Sequence, residues 1–367
     1  MLRAVSAPDS AGRSAGSAAV SRRLRCAVAL LVLLAAPPVA AAEPDLPPGH
    51  LTFRVFGGAE GLHNQAIQSI AQDRDGFLWI ATDNGVDRFD GAAFSHFSTK
   101  DGLLSGEFTV LGVGPDGAIC AGNDSGLVCW DGTRFSRTGA RGMPALPVVT
   151  MASTAGALWV GTRGGGLYVR AAGKDFVAAP GWPGSPATTV SALWGDADGL
   201  LAGQGASVWR TAGDGVWRKL GDVGLDTEAV EGVLRDPEGA LWIRTTSHLW
   251  LLPKAAARAS DLHDGLPRTF ESYRAPATMV IGPRGNVLVA TDDGVSYRDR
   301  GRWRTIDASV GLPRGGVRTQ FVDAEGTLWL GGAGLYQLRG RGIIEHYDAG
   351  TELPGETAWM YAYDRQQ

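Results

Sequence analysis

Apolar positions in this chain come in short runs. Between residues 66 and 97 there are four of them, Ala66 to Ala71, Phe77 to Ala81, Val86 to Phe89 and Phe94 to Phe97, parted by Asp- and Gly-rich turns. Runs this short, rich in β-branched and aromatic residues and bounded by turn signals, read as antiparallel strands joined by tight hairpins. The pattern returns along the chain. Gly76, which opens the second run, has counterparts at Gly117, Gly156, Gly199, Gly239, Gly285 and Gly326, at successive gaps of 41, 39, 43, 40, 46 and 41 residues. A repeat of about forty residues carrying four strands is the signature of a propeller blade. The pattern therefore predicts an all-β fold, a seven-bladed β-propeller of four-stranded antiparallel blades over residues 43–350. No helical periodicity of useful length is found beyond the N-terminal segment.

The recurrent residues have structural reasons. Three positions before the glycine stand Asp73, Asp196, Asp236 and Asp323, whose short side chains can accept the backbone N–H two residues on and set a turn. The glycine is expected to supply the positive φ of that turn. Three positions after it come Trp79, Trp159, Trp242 and Trp329, replaced by Cys120, Ala202 and Leu288 in other units. These lie on the strand where blade sheets pack face to face, so the tryptophans read as core. The loops that follow, T-D-N-G, N-D-S-G, T-R-G-G-G, T-D-D-G and G-G-A-G, suit hairpins of a twisted sheet. In the fourth unit Q-G-A-S reads as a shortened loop.

Composition adds a compartment. With 53 Gly in 367 residues, 44% hydrophobic and 20% charged, the chain is globular rather than disordered or membrane-spanning. Arg22, Arg23 and Arg25 precede the apolar run Cys26 to Ala36, and Ala40 to Ala42 offer a small-residue cleavage site. Residues 1–42 therefore read as a secretory signal peptide, too short in its apolar part for an ordinary membrane helix. Without them the chain carries 29 Lys plus Arg against 37 Asp plus Glu, a net charge of −8. Nucleic acid is a poor partner for such a surface.

Two cysteines remain after cleavage, Cys120 and Cys129. If the second blade's hairpin turns through Asn123 to Gly126, they face each other directly across the ladder, within reach of a disulfide. The alternative is two free thiols on opposite sides of the register.

The stretch Q-D-R-D-G-F-L-W-I-A-T-D-N-G-V-D-R-F-D-G from Gln72 to Gly91, preceded by E-G-L-H-N-Q-A-I-Q-S-I, resembles the two-component regulator propeller repeat of bacterial periplasmic sensor regions. The resemblance spans residues 51–367 and is clearest in the first, third, fifth and seventh units. It implies an extracytoplasmic sensing propeller, followed in such receptors by further propeller or β-sandwich domains, a membrane helix and an output module, either a histidine kinase or a diguanylate cyclase. Phe53 to Phe56 looks like a lone outer strand that would finish a blade, and residues 351–367 like the start of a further one, so the chain reads as the N-terminal part of a longer receptor. A complete secreted seven-bladed protein with a loose tail is the alternative.

Three function classes follow: a ligand or partner sensor without chemistry, a secreted propeller enzyme (glycoside hydrolase or lyase), and a protein-interaction scaffold. The acids Asp83, Asp226, Glu228 and Asp292 sit in ordinary turn contexts. The histidines His50, His63, His96, His248, His263 and His346 share no metal-ligand spacing. No catalytic constellation, metal site or cofactor is therefore expected. Because strands alternate in direction, the loops between second and third strands and those between blades fall on one face of the ring, here the upper face. It would present Asp83, Lys100, Arg141, Arg163, Trp182, Arg274, Asp292 and Arg314, a set suited to an anionic or carbohydrate-like small ligand, with a neighbouring domain of the same receptor as the other partner. For each residue taken singly, a solvated rim is the competing reading.

Overall fold

The computed structural model describes residues 50–212, 214–220, 228–256, 258–262, 265–266, 279–342 and 345–346. They form seven four-stranded antiparallel sheets, six of them with their strands in chain order from the first, innermost strand outwards. The first blade is Ile67–Gln72, Leu78–Thr82, Gly85–Phe89 and Phe94–Phe97, close to the four runs read from its sequence. Blades two to six begin with Phe108–Val113, Val148–Thr154, Val190–Asp196, Val230–Arg235 and Met279–Ile281. The seventh takes Val317–Val322, Leu328–Gly332 and Gly334–Leu338, and its outer strand is Phe53–Phe56 from the start of the ring. First strands of successive blades lie side by side, and that of blade seven meets that of blade one, so the ring is closed. Beyond the seven sheets, His50–Leu51 pairs with Glu345–His346. Among the described residues, helix is confined to single 3₁₀ turns. The segments 1–42 and 351–367, with Asp226, His263 and Arg274, lie outside the described residues.

The recurrent aspartates do more than shape a backbone turn. Asp73 accepts the N–H groups of Asp75 and Phe77 through Oδ1, while Oδ2 accepts the Trp79 indole N–H at 2.7 Å. Asp236 holds Trp242 at 2.9 Å and Asp323 holds Trp329 at 2.7 Å in the same way. One carboxylate thus satisfies both the turn and the polar edge of a large core side chain, which burial would otherwise leave without a partner. Trp159 has no such aspartate and donates instead to Thr154 at 3.2 Å. Blade four has Ala202 where the tryptophan would be, and there the freed Oδ2 of Asp196 faces Arg235 at 3.4 Å.

Two expectations about turns need correction. Gly76, Gly117, Gly199, Gly239, Gly285 and Gly326 have φ between 77° and 127°, but Gly156 does not belong to that set. Its hairpin pairs Thr154 with Ala157 and turns in two residues without a left-handed conformation at Gly156. The Q-G-A-S loop is also not short. It pairs Gln204 with Ser207, as Thr82 pairs with Gly85 in blade one, whereas the tighter loop is in blade seven, where Gly332 pairs with Gly334.

Blades pack through a column of small residues in the second strand: Ala81, Gly122, Gly161, Gly203, Ala290 and Gly331. A β-carbon at Gly122 would lie 2.6 Å from Val148, at Gly203 2.6 Å from Val230, and at Gly331 2.5 Å from Ile67. Each next blade's β-branched residue therefore seats directly on backbone, at the density of a native core. Cys120 faces Cys129 in the ladder, and their sulfurs are bonded, with Cα atoms 4.0 Å apart.

Candidate functional site

Every described first strand that is complete carries a register break at the same place. Six strands skip one residue, between Ile67 and Ser69, Phe108 and Val110, Val148 and Thr150, Val190 and Ala192, Val230 and Gly232, and Val317 and Thr319. The skipped residues are Gln68, Thr109, Val149, Ser191, Glu231 and Arg318. All six are partly exposed although the apolar residue before each is buried. A bulge turns its extra residue out of the ladder. These six stand near the start of the innermost strands, level with the loops between second and third strands, since Ile67 pairs with Thr82 and Val190 with Gln204; this end of the ring is the upper mouth.

Charge among the bulged residues is lopsided: Thr109, Val149 and Ser191 of blades two to four carry none, while blades five and seven supply Glu231 and Arg318 and blade one supplies Gln68. The loops add charge on both sides, Asp83 and Asp292 on one, Asp124 and Arg163 on the other. Gln68 Nε2 donates to Asp83 Oδ1 at 2.5 Å. In blade five the small-residue column is interrupted by Arg244, which is 1% exposed. Burial pulls its guanidinium down to about 10, opposed by the nearby charges of Glu231 and Asp292. It stays a cation at neutral pH, shared between a bulged acid of blade five and a loop acid of blade six.

A second polar group stands on the same face in blade five. His248 Nδ1 lies 3.2 Å from Glu228 Oε1, and its Nε2 lies 3.8 Å from Asp261. Burial alone would raise the Glu228 carboxyl, but hydrogen bonds from Thr245, Ser247 and His248 outweigh it and hold it down to about 2. Among the described residues no group of three or more His, Cys, Asp or Glu has metal-binding geometry.

The residues expected on the upper face sit in its loops, one from each of several blades rather than gathered together. Asp83 is half-buried at the mouth beside Gln68. Asp292 is half-buried near Arg244. Lys100, Arg141 and Arg314 are exposed in the links after blades one, two and six. Arg163 is exposed and faces Asp124 of the neighbouring blade at 3.7 Å. Trp182 is half-buried; its ring meets Trp217 at 4.7 Å, and Gly184 lies so close on it that a β-carbon there would stand 2.5 Å from the indole. Sequence reasoning missed Arg244 and the bulged residues. The signal for Arg244 was the column I-A-T, A-G-N, V-G-T, A-G-Q, I-R-T, V-A-T and L-G-G, in which it is the one large residue. The bulges have no such signal, because a one-residue slip in pairing leaves the pattern of the strand unchanged.

Comparison with known proteins agrees with this geometry. Residues 61–84, the link into blade one with its first two strands, match the family model of the two component regulator propeller. No curated protein matches the sequence significantly. Among solved structures, the extracellular domain of BT3049 from B. thetaiotaomicron, described as a hybrid two component system, superposes with a TM-score of 0.64 at 20% identity, over 80% of this chain and 41% of that one. That of BT4673 from the same organism gives 0.60 at 18% identity, over 79% and 40%. This chain thus spans about two fifths of the length of those domains. Virginiamycin B lyase from Staphylococcus aureus also superposes, at 0.61 and 10% identity, over 79% of this chain and 99% of that one. At such identities the likeness is one of fold. The chain is a seven-bladed ring in which residues 61–84, the link into blade one and its first two strands, match the two component regulator propeller.

Proposed function

We propose that this ring is the extracytoplasmic sensing propeller of a bacterial signal-transduction receptor, which binds a small polar ligand or a partner domain at its upper mouth and turns nothing over. The observation that carries the reading is the match of residues 61–84 to the two component regulator propeller. The mouth supports it. Its charged groups Glu231, Arg244, Asp292 and Arg318, beside the uncharged bulged residues Thr109, Val149 and Ser191, suit a small polar ligand. In this reading the chain is exported to the periplasm and its output domain, a histidine kinase or diguanylate cyclase, belongs to the longer receptor.

A thermal-shift screen of the exported chain tests it. A ligand should raise the melting temperature by mass action without being consumed. Asp83→Asn and Arg318→Ala should reduce that shift while leaving the unliganded melt close to its starting point. The second reading is a propeller enzyme, favoured by the Glu228, His248 and Asp261 group on the same face and by the fold shared with virginiamycin B lyase. Substrate conversion that is lost in a folded His248→Ala variant would replace the sensor reading with that one.

A further inference from the structure

Blade one carries a buried carboxylate that the mouth does not use. Asp87 lies in the third strand at a position filled elsewhere by Val128, Tyr168, Trp209, Trp250, Ser296 and Tyr336, and its side chain is 0% exposed. Oδ1 lies 2.8 Å from Nδ1 of His96 on the adjoining strand, and Oδ2 accepts the backbone N–H of His63 at 3.2 Å. The His63 and His96 rings stack, with centroids 3.7 Å apart and planes 24° from parallel. His63 is exposed and His96 partly so, which leaves both open to solvent protons. Burial raises the Asp87 carboxyl, opposed by its bond to His96. Other charged side chains on the adjoining stretches are turned elsewhere: Glu60 accepts from Gly57, Asp101 from Ser98, Arg54 covers Phe56, Arg88 covers Phe77, and Lys100 is exposed in the next link.

We propose that His63, His96 and Asp87 form a proton-sensing site, in which acid charges two stacked imidazoles against a single carboxylate and releases residues 57–66 from blade one. One imidazolium is matched by Asp87. A second, stacked on the first, is not, and like charges at this separation repel. His63 is the one free to leave, since only its backbone is tied. The segment it anchors runs from the closing strand to the first inner strand, bridges Ala333 of blade seven through Ala66, and ends at the mouth residue Gln68. Proton binding there would thus reach both ring closure and mouth. The inference stands without any ligand, so it can fail independently of the sensor reading.

Hydrogen exchange of the full exported chain, corrected for intrinsic rates, tests it. Protection of residues 57–66 should fall about tenfold as pH is lowered from about 8 to about 5, the range in which imidazoles gain charge. The matching turn in the next link, Thr99–Asp101, has no histidine and should hold steady. His63→Phe keeps a ring in the stack but cannot charge, and should abolish the drop. Unchanged protection in the natural chain, or a drop that survives His63→Phe, overturns the proposal. A second measurement needs no variant: NMR of the natural chain across the same pH range should show the backbone amides of residues 57–66 moving together with the His63 and His96 ring signals, and ring signals that change while those amides stay put would overturn it as well.

Discussion

Phe56 offers the sharpest test of how the ring is held shut. It is 1% exposed on the strand Phe53–Phe56, which pairs with Gly334–Leu338 and completes blade seven. Its ring meets Phe89 at 5.0 Å, Trp329 at 5.7 Å and Phe94 at 5.8 Å, so one side chain joins the last blade to the first. Truncating a buried Phe to Ala costs about 3–5 kcal/mol in transfer and cavity terms. Three aromatic neighbours that each lose a partner place Phe56→Ala near the top of that range, at about 4–5 kcal/mol. The control lies one residue away. Val55 has the same strand and ladder, but its side chain is 46% exposed, so Val55→Ala should cost no more than about 0.5 kcal/mol. Urea unfolding followed by tryptophan fluorescence measures both, with the midpoint of Phe56→Ala falling well below that of Val55→Ala. Equal losses would place the value of the strand in its backbone ladder and refute the packing argument; so would a loss below about 1 kcal/mol for Phe56→Ala.

Four further outcomes are expected. Without prior reduction, alkylation and mass spectrometry of exported protein should label neither Cys120 nor Cys129, and replacing both by Ser should lower stability by about 2–3 kcal/mol for so short a loop. Asp236→Ala should cost about 1–3 kcal/mol in chemical denaturation, because it strands the N–H of buried Trp242, while Asp75→Ala, on the exposed side of the first turn, should cost almost nothing. Gly331→Val should destabilise by about 1–3 kcal/mol or more, since its first added carbon already meets Ile67. The Glu228 carboxyl is held down to about 2 from 4.5, so the stability it contributes is present above pH 4.5 and is lost as pH falls towards 2; acid unfolding of Glu228→Gln should lack that part of the pH dependence.

Much of this molecule was legible because a propeller repeats one local problem. Each blade needs a turn after its first strand, a tryptophan or its substitute to fill the layer between sheets, and a hairpin next. Those needs recur at a fixed spacing, so Asp73, Gly76 and Trp79 announce their counterparts down the chain. Even the Cys120 and Cys129 pairing follows from hairpin register, which local turn length sets.

The upper mouth is another matter, because it is made by convergence. Gln68 and Arg318 are 250 residues apart in number and lie on adjacent inner strands only because the ring closes, and nothing in either strand's polarity reveals the bulge at each. Arg244 looks like one exception in a column of Ala and Gly, but its burial and its position between Glu231 and Asp292 depend on how blade six docks on blade five. His63, His96 and Asp87 show no spacing of any known site. They meet because a link, a third strand and a fourth strand fold over one another. Local chemistry decided the blade, since a turn or a strand is settled within a few residues. Closing seven blades into one ring decided which of the remaining polar groups would face each other.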